Sequence, residues 1–77
     1  MKGKIKMQEK IIEIIAEIAM LEPENIDIDT RFLDLGIDVL DISEIMMSVE
    51  DIADVEIEDY EGFETIRELV EFVKDNM

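Results

Sequence analysis

The stretch from Phe32 to Asp54 constrains the fold of this chain more than any other part of the sequence. The chain turns at Gly36, and Asp38 is placed to cap a following helix, with Asp41 three residues later at the position of a capping-box partner. Apolar residues then recur at helical spacing, at Leu40, Ile42, Ile45, Met46, Val49, Ile52 and Ala53. The pattern predicts an amphipathic helix over residues 39–53, with an apolar face and an acidic face.

Two further helices are predicted on either side of this central helix. After a frayed start over residues 1–4, the first runs from about Ile5 to Met20 and ends before Pro23, because the residue preceding proline is pushed out of the helical region. Its predicted apolar stripe consists of Met7, Ile11, Ile14, Ile15, Ile18 and Leu21. Near the end of the chain, Thr65 and Glu68 form a capping box that predicts a last helix reaching about Asp75.

The predicted fold is all-α, a single small domain over residues 1–77. Three main helices and one short helical turn near residues 59–62 pack as a bundle, with a long loop over residues 22–37 between the first two helices. The apolar residues of that loop are expected to hold it against the helices; they are Ile26, Ile28, Phe32, Leu33 and Leu35.

Charge and composition exclude several functions. The formal net charge is −15, from 22 acidic and 7 basic residues, and four of the lysines fall within the first ten positions. Such a chain repels nucleic acids and anionic membranes, and favours basic protein surfaces and divalent cations. Without histidine or cysteine it lacks the usual acid/base and thiol groups of an active site, so we expect a protein that is not an enzyme.

Neither a membrane span nor a secretory leader is expected. The longest apolar stretch, from Ile11 to Leu21, is interrupted by Glu13 and Glu17, so it is neither a spanning helix nor a signal-peptide core. We therefore expect a cytoplasmic protein.

Residues 35–45, LGIDVLDISEI, closely resemble the central motif of the acyl carrier proteins, which is roughly L-G-x-D-S-L-D-x-x-E-L. The resemblance extends over nearly the whole chain and implies the acyl carrier protein fold. The important departure is Val39, which stands where the serine of the family carries the 4'-phosphopantetheine arm. An isopropyl group has no lone pair with which to attack coenzyme A, so no cofactor is expected on this sequence. Ser43 and Ser48 lack the flanking Asp and Leu of the motif.

The resemblance also implies a docking surface for partner proteins. In the family, acidic residues of the central helix bind basic patches on enzymes of fatty-acid or polyketide synthesis and on the phosphopantetheinyl transferase, and the carrier is a monomer. The corresponding residues here are Asp38, Leu40, Asp41, Glu44, Met47, Glu50 and Asp51. The alternative is that these charges form an ordinary solvated helix face.

Three hypotheses follow for the function. The first is an acyl carrier protein, or a close variant, in which Val39 disables covalent carriage; whether that valine is natural or engineered stays open. The second is a carrier-like interaction module without thioester chemistry. The third is an acidic bundle whose function is to bind divalent cations, which tight, stoichiometric binding at one locus would support and weak, diffuse binding would count against. Apart from that hypothesis, we expect only weak binding of divalent cations by the clustered carboxylates and no defined metal site.

The family also shelters an acyl chain in a cleft between its helices. The residues that correspond to such a lining are Phe32, Ile45, Met46, Phe63 and Ile66. Because no arm is expected to deliver a chain, we predict ordinary core packing for these five residues.

Overall fold

The computed structural model describes residues 6–77, and in this part of the chain the regular structure is helical. Three α-helices, α1 (Met7–Ala19), α2 (Val39–Ala53) and α3 (Ile66–Asn76), follow one another along the chain. Two single-turn 3-10 helices, Pro23–Asn25 and Phe32–Leu35, lie in the connection between α1 and α2. The all-α prediction is confirmed, and α2 has the bounds predicted from the sequence.

Helix α1 ends at a left-handed residue rather than at the proline itself. Met20 adopts φ 60° and donates its backbone N–H to the carbonyl of Ala16. The helix therefore stops before Pro23, as predicted, but Leu21 has already left the helical path and is 42% exposed. Its placement on the buried stripe was wrong for that reason. The predicted frayed start over residues 1–4 and the predicted helix start at Ile5 lie outside the described residues.

Each helix contributes one apolar stripe to a common core. The burial of these side chains is the main stabilising term for a domain of this size. The buried residues of the helices are Ile11, Ile15, Ala16, Ile45, Met46, Val49, Ala53, Ile66, Leu69, Val70 and Val73. The connecting segments add Ile26, Phe32, Leu35 and Ile57 to the same core. Leu33 was wrongly predicted to help hold the loop, because it is 81% exposed.

The long loop is tied to the start of α3. The Phe32 N–H donates to the Glu64 carbonyl at 3.0 Å, and the Arg67 guanidinium donates to both carboxylate oxygens of Asp29 at 2.6 and 3.1 Å. The hydrogen bond from Arg67 lowers the pKa of Asp29 below its ordinary value. These contacts hold the loop against the bundle although it contains only two single turns of helix.

The short helix predicted near residues 59–62 is a hydrogen-bonded turn. The Gly62 N–H donates to the Asp59 carbonyl at 3.1 Å, and the Asp59 carboxylate accepts from the Glu61 N–H, also at 3.1 Å. This turn leads into α3, whose cap is the Thr65 hydroxyl accepting from the Glu68 N–H at 3.2 Å. The predicted N-terminal cap of α3 is thereby confirmed.

Candidate functional site

The start of α2 is built by a glycine turn and an aspartate cap. Gly36 lies at φ 74°, a left-handed conformation that side chains other than glycine adopt at a cost. The Asp38 carboxylate then accepts the backbone N–H of Asp41 at 3.0 Å, which confirms the predicted cap. As a result, Val39 is the first residue of the helix.

Val39 projects from this first turn with 57% of its surface exposed. Its isopropyl group can make apolar contacts but offers no nucleophilic oxygen. The hydroxyls of Ser43 and Ser48 lie on half-buried residues further along the helix. The first position of α2 is therefore accessible to solvent but occupied by a side chain that cannot form a phosphodiester.

One face of α2 carries an exposed stripe that mixes apolar and acidic side chains. Leu40, Glu44, Met47 and Asp51 are spaced by four, three and four residues, which places them on one side of the helix. All four are exposed, Leu40 to 77% and Met47 to 53%. We refer to these four residues as the exposed stripe. Asp38 is exposed at the start of the helix, and Asp41 is half-buried.

Two apolar residues of the sequence pattern do not lie in the core. Leu40 belongs to the exposed stripe, and Ile52 is 42% exposed, although both were predicted on the apolar face. Helical spacing allows a face wider than the buried strip, and the side chains at the edges of that face remain in contact with solvent.

Glu50, one of the predicted docking residues, has both of its carboxylate oxygens engaged within the fold. One oxygen accepts the Ile57 N–H at 2.7 Å, and the other accepts the Tyr60 hydroxyl at 2.5 Å. The pKa of Glu50 is lowered mainly by the hydrogen bond from Tyr60 and secondly by the one from the Ile57 N–H. The hydrogen bond to Glu50 raises the pKa of Tyr60. Glu50 thus fastens the segment after α2 to the helix.

A cleft opens beside Val39, with a volume of about 610 Å³. We call it the Val39 cleft. It lies between the start of α2, the 3-10 turn of the loop and the segment before α3, and its lining consists of Phe32, Leu33, Val39, Ile42, Tyr60, Glu61, Gly62, Phe63, Glu64 and Glu68.

The sequence identified only part of the cleft lining. Of the five candidate residues, Phe32 and Phe63 line the Val39 cleft. The other three, Ile45, Met46 and Ile66, are completely buried in the core. Core packing was therefore the right prediction for these three, while Phe63 contributes to the cleft wall and packs edge-on against Phe72 at 5.4 Å between ring centres.

Within residues 6–77, no cluster of three or more acidic side chains is arranged to hold a metal ion. None of the described helices combines the length and the apolar character needed to cross a membrane.

Comparison with known proteins places this site in context. Residues 9–73 match the family described as "Phosphopantetheine attachment site". The chain is 39% identical over 67 residues to an acyl carrier protein of Streptococcus pyogenes serotype M1, covering 87% of this chain and 90% of the relative. It is 38% identical over 73 residues to an acyl carrier protein of Clostridium perfringens (strain 13 / Type A), covering 91% of this chain and 96% of that relative.

Proposed function

The chain belongs to the acyl carrier protein family, and from this membership we propose that it docks onto basic surfaces of fatty-acid or polyketide synthesis enzymes through α2, while covalent carriage is disabled at Val39. In this proposal, the protein is not an enzyme, acts as a monomer and resides in the cytoplasm. The related proteins are named acyl carrier proteins, and the proposal that carriage is lost rests on the valine at the first position of α2.

The exposed stripe is the observation that carries the docking proposal. Leu40 and Met47 offer apolar contact area on a helix face where Glu44 and Asp51 supply negative charge. The net charge of −15 extends that field over the molecule. A surface of this kind favours rapid, electrostatically steered association with a basic partner, and the association weakens as salt is added.

The chemistry of position 39 supports the proposal that covalent carriage is lost. Arm attachment requires a hydroxyl oxygen that attacks the pyrophosphate of coenzyme A and releases adenosine 3',5'-bisphosphate. Val39 has no such oxygen. Ser43 is half-buried one turn later and lies between Ile42 and Glu44, so it lacks the Asp and Leu that flank the serine of the family motif.

A second candidate function is a carrier-like interaction module that never uses a thioester. Val39 favours it, because a module that only binds partners has no requirement for an attachment hydroxyl at this position. The two candidate functions differ in the effect expected of the substitution Val39→Ser. A disabled carrier keeps the surface that a phosphopantetheinyl transferase recognises, whereas a diverged module need not.

The test is the intact mass of the protein after incubation with coenzyme A and a broad-specificity phosphopantetheinyl transferase. The parent chain should keep its mass, Val39→Ser should gain one phosphopantetheine group, and Val39→Ala serves as the matched control without a hydroxyl. If the parent gains the arm, attachment is not disabled. If Val39→Ser stays unmodified, the interaction module becomes the better explanation.

Docking is tested on the Val39→Ser background by the initial rate of arm transfer. Adding Glu44→Lys on the exposed stripe should slow the transfer several-fold at low salt, because it reverses a charge on the proposed contact face. Glu17→Lys makes the same charge change on exposed α1 and should have a smaller effect. Equal effects of both substitutions would contradict docking through α2.

A further inference from the structure

The Val39 cleft combines an apolar interior with an acidic rim, and we propose that it receives an apolar side chain from a basic segment of a partner protein. The proposed occupant is a large aliphatic or aromatic residue with lysine or arginine beside it. The inference rests on the proposed function in one respect: with no arm at Val39, no covalently delivered chain competes for the space.

The apolar part of the argument comes from the mouth and walls of the cleft. Leu33 is 81% exposed and Val39 is 57% exposed at the same opening. Phe63, which is half-buried, contributes aromatic surface to the lining, and Phe32, only 3% exposed, lies beneath it as part of the core. A volume of about 610 Å³ lies within the range of small-molecule pockets and leaves room for one large side chain. Covering this surface would remove apolar area from water.

The charge of the lining determines the kind of occupant. Glu61, Glu64 and Glu68 all line the cleft, and all three are exposed. Arg31 approaches Glu64 only at 3.8 Å, and no ion pair within residues 6–77 involves Glu61. The carboxylate of a free fatty acid would meet like charge here, whereas a lysine or arginine next to the inserted side chain would meet opposite charge.

The internal contacts of Glu50 keep the cleft wall in place. Tyr60 lines the cleft and donates its hydroxyl to Glu50, which also holds the Ile57 N–H. On the opposite side, the turn Phe32–Leu35 is fixed by the backbone bond between Phe32 and Glu64. An opening with both walls held by the fold loses less entropy on binding than one that must be ordered by its ligand.

The probes are two synthetic peptides, one with a central leucine flanked by two lysines on each side and one with alanine in place of that leucine. Each is titrated into the isotope-labelled full chain at low salt, and amide shifts are followed by NMR. We expect the leucine peptide to shift Leu33, Val39 and Phe63, and to bind about fivefold more tightly than the alanine peptide, which corresponds to about 1 kcal/mol.

Substitutions at exposed residues test the same contact without disturbing the packing of the core. Leu33→Ala should weaken binding of the leucine peptide several-fold, and Glu61→Lys should weaken binding of both peptides. Leu21→Ala is the matched control, because it makes the same change at an exposed leucine outside the cleft lining, and it should leave the fivefold preference for leucine unchanged.

Three results would overturn the inference: equal affinity for the two peptides, amide shifts confined to the exposed stripe, or laurate shifting the cleft residues more strongly than the leucine peptide does. None of these results depends on arm transfer. The Val39→Ser and Glu44→Lys experiments therefore fail or succeed separately from this one.

Discussion

Alanine substitutions at Ile45 and Leu40 should have very different effects on stability, although both residues belong to the apolar pattern of α2. Ile45 has no exposed surface, whereas Leu40 is 77% exposed. Removing the buried side chain deletes apolar contacts and leaves a cavity, for which Ile→Ala changes cost about 2–5 kcal/mol. A chain of 77 residues has a total stability on the order of 4–12 kcal/mol, so Ile45→Ala removes a large share of it.

Leu40→Ala should cost less than about 0.5 kcal/mol. Only about a quarter of that residue is covered in the fold, and alanine recovers a few tenths of a kcal/mol through its higher helix propensity. The same substitution should nevertheless reduce partner docking, because Leu40 is the most exposed apolar residue of the exposed stripe.

Urea unfolding followed by far-ultraviolet circular dichroism measures both free energies of unfolding. The midpoint should fall strongly for Ile45→Ala and stay close to the parent value for Leu40→Ala, with similar slopes for all three proteins. Comparable losses for the two variants would show that Leu40 is packed in solution, and the assignment of the exposed stripe would be refuted.

Two further predictions concern pH and salt. The pKa of Glu50 in the folded protein lies below its ordinary value, so its contribution to stability is present above the unfolded pKa of about 4.3 and is lost as pH falls through the folded value. The difference in Tm between the parent and Tyr60→Phe should therefore shrink under acidic conditions. A difference in Tm that does not change with pH would contradict this role of Glu50. Because the net charge is −15, added NaCl or MgCl₂ should raise the Tm by screening repulsion, and a Tm that responds to neither salt would contradict the argument.

The helices could be predicted from the sequence because their signals are local. Side-chain caps at Asp38 and Thr65 mark the starts of α2 and α3, and hydrogen bonds in the structure confirm both. Apolar spacing defines the buried stripes to within the residues at their edges. The error at Leu21 arose because the left-handed turn at Met20 carries no glycine, which is the usual sign of such a helix end.

The candidate site was less predictable because its contacts are not local. Glu50 and Tyr60 are ten residues apart, on a helix and in a turn, and no periodic pattern connects them. Periodicity placed Glu50 among the polar residues of α2 but could not indicate that both carboxylate oxygens have partners within the fold. The Val39 cleft could not be predicted from the spacing of apolar residues either. That spacing distinguishes buried from exposed positions but does not show where a cavity lies between two segments.

Under the proposed function, fold and attachment chemistry depend on different residues, so that family membership and the proposed lack of an attachment hydroxyl are compatible. The fold depends on the buried stripes, on the left-handed Gly36 and on the Asp38 cap. Val39 is more than half exposed and contributes little to packing, so the backbone at this position requires neither valine nor serine. Attachment would depend on a single oxygen, and similarity measured over 67 or 73 residues would not reveal its absence. A restored serine is therefore placed at a position where the fold should tolerate it.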